Sequence, residues 1–390
     1  MPYDVGSSSY AGQSASQPAA FLDGTLVRGA IDSFRNGSAG GLDGLSPQHL
    51  KDLTCSSAGE AGESLLRELT ALINLMLSGN VNESVIDVLY GANLCALRKR
   101  DGGIRPIAVG CTYRRIAAKI CCAFYNESLA SKFQPSQLGF GSKGGCEAAV
   151  HALSTFINSN QSEVILKVDI KNAFNSVSRD ALLTEIQKET PKIYSFLWQC
   201  YRNPSKLLYK DNLIESAVGC QQGDPLGPAI FSLAINPIIR ELNSKFNVWY
   251  LDDGTLGGDV NTVLKDFTIL KERLNSIGLD LNLSKCEIYI PNSTDRQTIL
   301  SKFQEIAPNI KIKDKNSLHL LGSPIFDECF PSFIEDKIEN FNNISDRLHK
   351  INSHSAFTLI RASSLIGCGR VGIRFVASGA PVTLHRNYVG

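Results

Sequence analysis

The chain has 390 residues, 43% of them hydrophobic, with a formal net charge of +1, enough to bury a large core and more than one subdomain. No window approaches the roughly twenty uninterrupted apolar residues of a membrane span, and no basic-then-apolar leader opens the sequence, so an intracellular protein is expected, nuclear or cytoplasmic left open. The eleven cysteines show neither CxxC nor paired His/Cys spacing, which favours free thiols over disulfides or zinc.

Residues 1–20 are rich in Ser, Ala, Gln and Gly without periodicity, and disorder is expected there. Apolar residues at helical spacing predict helices over 63–78, 113–130 and 143–158. Arg98 to Arg105 reads as two strands joined at Asp101-Gly102. The β-branched run Val164 to Val168 predicts a strand ending at Asp169, followed by helix over 180–203. Gly219 to Pro228 is a Gly/Pro-punctuated loop, and Ala229 to Leu242 reads as a helix. Val248-Trp249-Tyr250 and Gly254-Thr255-Leu256 read as hairpin arms with Leu251-Asp252-Asp253 at the bend. A helix from Asn261 to Ile277, capped at Gly278, then leads to a strand from Cys286 to Ile290. Strands joined partly by hairpins and mixed with helices indicate an α+β fold.

Charge is unevenly spread. Arg98, Lys99, Arg100, Arg105, Arg114, Arg115 and Lys119 stand against the single acid Asp101, and six Lys/Arg follow from Arg347 onward with no Asp or Glu. Two basic stretches flanking an acidic middle suit a duplex-binding cleft, although solvated helices also carry such runs.

That middle holds Asp169 and, 83 residues later, Asp252-Asp253. Read locally, each aspartate could simply begin a turn or cap a helix. Three carboxylates at two strand ends, however, repel one another unless cations lie between them. Two divalent ions about 4 Å apart are the arrangement used for phosphoryl transfer, so the residues point to a template-copying polymerase. The loop Gln221-Gln222-Gly223-Asp224-Pro225-Leu226-Gly227-Pro228 has backbone that Gly223 leaves open to close approach.

In order and spacing, Val168-Asp169 with Phe174, Gln222-Gly223-Asp224-Pro225-Leu226 and Tyr250-Leu251-Asp252-Asp253 resemble motifs A, B and C of reverse transcriptases. Gly40 to Leu45, Ile104-Arg105-Pro106-Ile107, Gly278-Leu279 with Asn282, Lys285 and Cys286, and Leu320-Leu321-Gly322 add further motifs of the non-LTR (LINE-like) retrotransposon branch. The resemblance covers roughly residues 35–365. It implies a right-hand polymerase with a disordered segment over 1–20, fingers and N-terminal helices over 21–163, a palm with an antiparallel sheet over 164–327 (with an insert of fingers/palm helices at 180–218) and a partial thumb over 328–390.

The same resemblance implies an RNA-directed DNA polymerase that adds dNTPs to a primer paired with an RNA or DNA template, using two Mg²⁺ ions, with Mn²⁺ as the alternative. Asp169, Asp252, Asp253 and the carbonyl of Ile170 would be metal ligands, and Lys285 would approach the leaving pyrophosphate. Arg105 and Lys99 would contact the triphosphate, with Arg98 or Arg100 as alternatives to Lys99. Gln222 and Gly223 would line the nucleotide pocket, and Leu321 and Gly322 would form the primer grip. Phe174 would exclude a ribose 2′-hydroxyl; the local alternative, a ring filling the palm core, is the less favoured of the two. Gly227 stands where many relatives have Ser, and Leu251 where many have Ala. No endonuclease or zinc-knuckle counterpart is evident, and about fifty residues follow Asp336. The competing expectation is therefore a fragment, or a non-catalytic or domesticated nucleic-acid-binding remnant; no oligomeric state is implied.

Overall fold

The computed structural model describes residues 22–98, 102–291 and 295–367, with side chains as far as Arg361. The segment expected to be disordered lies outside them. The chain divides between Asp314 and Lys315 into two compact units.

The first unit opens with helices. Gly59–Leu77 buries Leu66, Leu69, Ile73 and Met76, a stripe at three- and four-residue spacing that packs on Gly24–Asp32 and Thr112–Phe133. The strands are β1 (Ala92–Arg98), β2 (Ile104–Gly110), β3 (Val164–Asp169), β4 (Ser205–Tyr209), β5 (Asn212–Ser216), β6 (Phe246–Tyr250), β7 (Asp253–Gly258), β8 (Glu287–Tyr289) and β9 (Lys311–Lys313). They form a four-stranded sheet, β2-β1-β4-β5, and a five-stranded sheet, β6-β7-β3-β8-β9. Antiparallel pairing dominates, but β4 runs parallel to β1 and β9 parallel to β8.

The predicted helices, the strand ending at Asp169 and the hairpin are present at closely similar bounds. Two details differ. Helix over 180–203 is broken into Arg179–Glu189 and Tyr194–Tyr201, because Pro191 lacks the N–H that a continuous helix needs there. The β4–β5 hairpin lies within the 180–218 insert expected to be helices, and corrects that expectation for 205–216.

One long core serves the five-stranded sheet. Val164, Leu166 and Val168 point from β3 into it, together with Ile230, Phe231, Leu233 and Ile235 of the helix Gly227–Glu241. Strand alternation therefore sends Ile165, Lys167 and Asp169 to the other face. The helix Val260–Ser276 starts at Asp259, whose carboxylate accepts the N–H groups of Asn261 and Thr262. Farther along that helix, fully buried Asp266 accepts from the N–H of Asn243 (2.9 Å) and from the N–H and hydroxyl of Ser244 (both 2.6 Å), fixing the approach to β6.

The second unit contains a short hairpin, β10 (His319–Leu320) and β11 (Ser323–Pro324), and the helices Phe330–Leu348 and Ser353–Gly367. Leu321 and Gly322 form its two-residue turn at φ 49° and 83°, as a type I′ turn requires.

Candidate active site

Asp169, the last residue of β3, is the register partner of Asp253, the first residue of β7. Tyr250 pairs with Asp253 on the other side, so Leu251 and Asp252 alone make the β6–β7 turn. Register partners lie about 5 Å apart at Cα and consecutive Cα atoms 3.8 Å apart, which places Asp169 and Asp252 within about 9 Å of each other. Three carboxylates that are distant in sequence thus meet at one end of the sheet.

The electrostatics record the crowding. Burial among protein atoms, then the charges of Asp252 and Asp169, push the Asp253 carboxyl up to about 6, while Lys167 pulls it down. The Asp253 residue is nonetheless exposed to solvent, so the two neighbouring charges are the firmer cause. Lys167 itself is tied to Glu287 at 2.7 Å, and Glu287 also takes Lys313 at 3.2 Å.

Just past Asp169, the backbone is strapped to the segment before β8. Asn282 N–H donates to the Asp169 carbonyl and Lys171 N–H donates to the Asp280 carbonyl, each at 2.8 Å. Ile170 faces Leu281 across an isolated antiparallel bridge between these two bonds, and because strand carbonyls alternate in direction its own carbonyl points away from that segment. Lys285 follows on the same segment, its N–H donating to the Asn282 carbonyl at 2.8 Å and its side chain exposed.

The Leu251–Asp252 turn carries a feature that the sequence did not flag. Leu251 has φ 57°, a left-handed conformation that costs a side-chain-bearing residue roughly 1–3 kcal/mol. Fully buried Gln137 holds it from both sides. Its Oε1 accepts the N–H groups of Leu251 and Gly139, each at 2.8 Å, and its Nε2 donates to the Leu251 carbonyl at 3.1 Å. Leu138 N–H donates to the Trp249 carbonyl and Trp249 N–H to the Ser136 carbonyl. A Cβ on Gly139 would come within 2.6 Å of Leu251. In the sequence, a lone Gln between a helix end and Leu138-Gly139 gives no signal of this.

The Gln221–Pro228 loop is anchored by charge. Asp224 is buried and takes the Arg114 guanidinium at 2.9 Å, with its other oxygen accepting Leu226 N–H. Arg114 also donates to the Tyr90 carbonyl at 2.7 Å and the Tyr201 hydroxyl at 3.1 Å. Arg179 covers the Tyr201 ring as Arg114 does, each at 5.3 Å. Next to this anchor, Ala108 N–H donates to the Gln222 carbonyl at 2.8 Å, and a Cβ on Gly223 (φ 131°) would sit 2.5 Å from the Ala108 carbonyl. The loop therefore lies against β2, the strand that carries exposed Arg105 three residues earlier.

Phe174 is half-buried and stacks on Phe231, centroids 4.6 Å apart and planes 23° apart. Its carbonyl accepts Cys220 N–H at 2.8 Å, which couples it to the same loop.

The basic run is corrected in part. Arg114 is not available to a nucleic acid, because it is buried against Asp224. Arg115 and Lys119 stack on the Phe34 ring at 4.9 and 4.7 Å. Helical periodicity turned these side chains toward the interior and the N-terminal helices. Lys99 and its alternative Arg100 lie outside the described residues. Leu321 and Gly322 belong to the second unit. Every described cysteine is free.

Among the described residues, no group of three or more His, Cys, Asp or Glu is arranged to hold a metal ion by itself. Magnesium at phosphoryl-transfer sites is held through one or two carboxylates plus substrate oxygens, not by an all-protein cage. Hard oxygen donors crowded at a solvent-reached strand end, with the Asp253 carboxyl pushed up by its neighbours, fit that demand.

The family model described as "Reverse transcriptase (RNA-dependent DNA polymerase)" matches residues 97–325. The "Retrotransposable element SLACS 132 kDa protein" of Trypanosoma brucei gambiense is 28% identical over 268 residues, 65% of this chain and 21% of that protein. The "Retrovirus-related Pol polyprotein from type-2 retrotransposable element R2DM" of Drosophila melanogaster is 26% identical over 275 residues, 64% of this chain and 24% of that one. The chain thus spans about a fifth to a quarter of these relatives. A telomerase structure from Candida albicans shares 14% identity at a TM-score of 0.43, covering 55% of this chain and 44% of that one. Among the described residues, no helix is long and apolar enough to cross a membrane.

Proposed function

The chain belongs to the reverse transcriptase family, its model spanning more than half the sequence, and on that premise we propose that it extends a primer 3′-hydroxyl with dNTPs against an RNA template. The observation that carries this reading is the pairing of Asp169 with Asp253 beside the Asp252 turn. Asp169 and Asp252 would hold two magnesium ions, helped by the Ile170 carbonyl, with Asp253 as the supporting third carboxylate. When bound, such ions supply Lewis acidity that lowers the pKa of the attacking hydroxyl and neutralises charge on the departing pyrophosphate.

The remaining work falls to the chain. Arg105, with Lys99, offers a permanently charged fork to the triphosphate oxygens, which holds the α-phosphorus in line with the primer end. Lys285 faces the pyrophosphate as it leaves. The backbone of Gln222 and Gly223, held on β2, forms a wall for the incoming base. The Phe174 ring blocks a 2′-hydroxyl and so selects deoxyribose. Leu321 and Gly322 grip the primer. No covalent intermediate on the protein is needed, since positioning and electrostatics supply the rate.

The test is extension of oligo(dT) on poly(rA) with dTTP and Mg²⁺. The wild-type chain should incorporate dTMP. A wild-type preparation that binds the duplex yet incorporates nothing would contradict this reading and favour a non-catalytic binding protein.

A further inference from the structure

We infer that Gln137 is a positioning residue for the reaction, acting through the Leu251–Asp252 turn to set where the Asp252 carboxylate points. The inference rests on the reading of Asp169 and Asp252 as the centre of a polymerase. Geometry carries it. One fully buried amide grips the N–H and the carbonyl of the residue immediately before Asp252, and accepts from Gly139 as well. The gripped residue is in a left-handed conformation, φ 57°, which a leucine does not hold without support. Backbone bonds between Ser136, Leu138 and Trp249 keep the gripping segment parallel to β6.

The choice of side chain is chemically specific. The turn offers one donor and one acceptor, and a primary amide answers both without bringing a charge. A carboxylate at 137 would face the Leu251 carbonyl with no proton to give and would add a further negative charge beside three. A cation would leave the two N–H groups unanswered and would pair with Asp252 itself. A thioether of similar length fills the space and answers none of the three groups. Reaction rates at such centres fall steeply with displacements of about 1 Å, so loosening the turn should cost rate before it costs substrate binding.

The experiment compares wild type, Gln137→Met and Gln137→Glu in three measurements. These are single-nucleotide incorporation on poly(rA)/oligo(dT), Mn²⁺ binding to the nucleotide-free protein by electron paramagnetic resonance, and thermal denaturation by circular dichroism. Gln137→Met should lower kcat on the order of 10–100-fold, leave the KM for dTTP within about threefold and weaken Mn²⁺ binding. Gln137→Glu, which keeps both accepted bonds but loses the donor to the Leu251 carbonyl, should have a kcat between it and wild type. Folded Gln137→Met with wild-type kcat and Mn²⁺ affinity overturns the inference. If Gln137→Met does not fold, wild-type kcat in Gln137→Glu overturns it equally. Losses that merely track the folded fraction in both variants also overturn it, since they reduce Gln137 to a structural role. If the wild-type chain fails to extend primers, the proposed activity falls, while the Mn²⁺ measurement still decides whether Gln137 governs the carboxylates.

Discussion

Two loops carry residues assigned to the proposed centre, and they are held in opposite ways. The Gln221–Pro228 loop is fixed by a buried ion pair, Arg114–Asp224, with Arg114 1% exposed. The Leu251–Asp252 turn is fixed by a neutral amide, Gln137. The first loop presents backbone and apolar surface, so a charge spent on its anchor disturbs nothing that must bind a cation. The second carries Asp252 and adjoins Asp169 and Asp253, whose charges must remain available. A cationic anchor there would pair with those carboxylates itself and compete with any cation they bind. The comparison suggests that anchors near a ligand-binding charge cluster are neutral, while anchors farther back can be ionic.

If the loops divide the work this way, damage to the turn should strike rate and spare the fold. Asp169→Ala or Asp252→Ala should lower primer extension by about a thousandfold or more, with thermal stability unchanged or slightly raised because carboxylate repulsion is relieved. Near-normal turnover in either variant would remove the metal assignment. Damage to the ion pair should strike the fold first. Arg114→Met leaves Asp224 buried without its partner and should cost about 3–5 kcal/mol in urea denaturation. Arg114→Lys should not restore it, because a single ammonium cannot reach Asp224, the Tyr90 carbonyl and the Tyr201 hydroxyl together. Stability within error of wild type would show that the loop does not depend on this anchor.

Phe174 is attached to the first loop through Cys220. Phe174→Val should admit ribonucleotides, reducing the dTTP-over-UTP preference on the order of tenfold to a hundredfold, read from the ratio of kcat/KM values. An unchanged ratio would assign the ring to packing against Phe231 alone.

The smallest effect expected concerns acid. The Asp253 carboxyl has a folded pKa of about 6 against an ordinary 3.8, so between these values the folded state binds a proton that the unfolded state does not. Its contribution to stability is greatest at the acidic end of that window and declines as pH rises through 6. The metal-free wild type should therefore gain Tm relative to Asp253→Asn as pH is lowered from about 7 to 5. Parallel curves for the two proteins would contradict the crowding of the three carboxylates.

Much of this was legible in the sequence because function writes itself in side-chain types that local structure cannot explain. The run Val164 to Val168 announced a strand, and Asp169 at its end met the Asp252-Asp253 bend as expected. Arg114 was misread for a physical reason: charge patterning assumes that arginine faces water, and only the tertiary fold reveals an Asp224 110 residues away to receive it. Gln137 was illegible because amides serve equally in surfaces, caps and cores. Its role depends on a turn 114 residues later, and no local period encodes that distance. The β4–β5 hairpin escaped because Lys210 supplies the left-handed turn conformation, φ 53°, that a Gly or Asn would have advertised.

The most direct test is a crystal structure of the chain with primer, template, dTTP and Mn²⁺, phased for anomalous scattering. The account predicts anomalous peaks at about 2.2 Å from carboxylate oxygens of both Asp169 and Asp252. Peaks touching only one of the two aspartates, or neither, would contradict it.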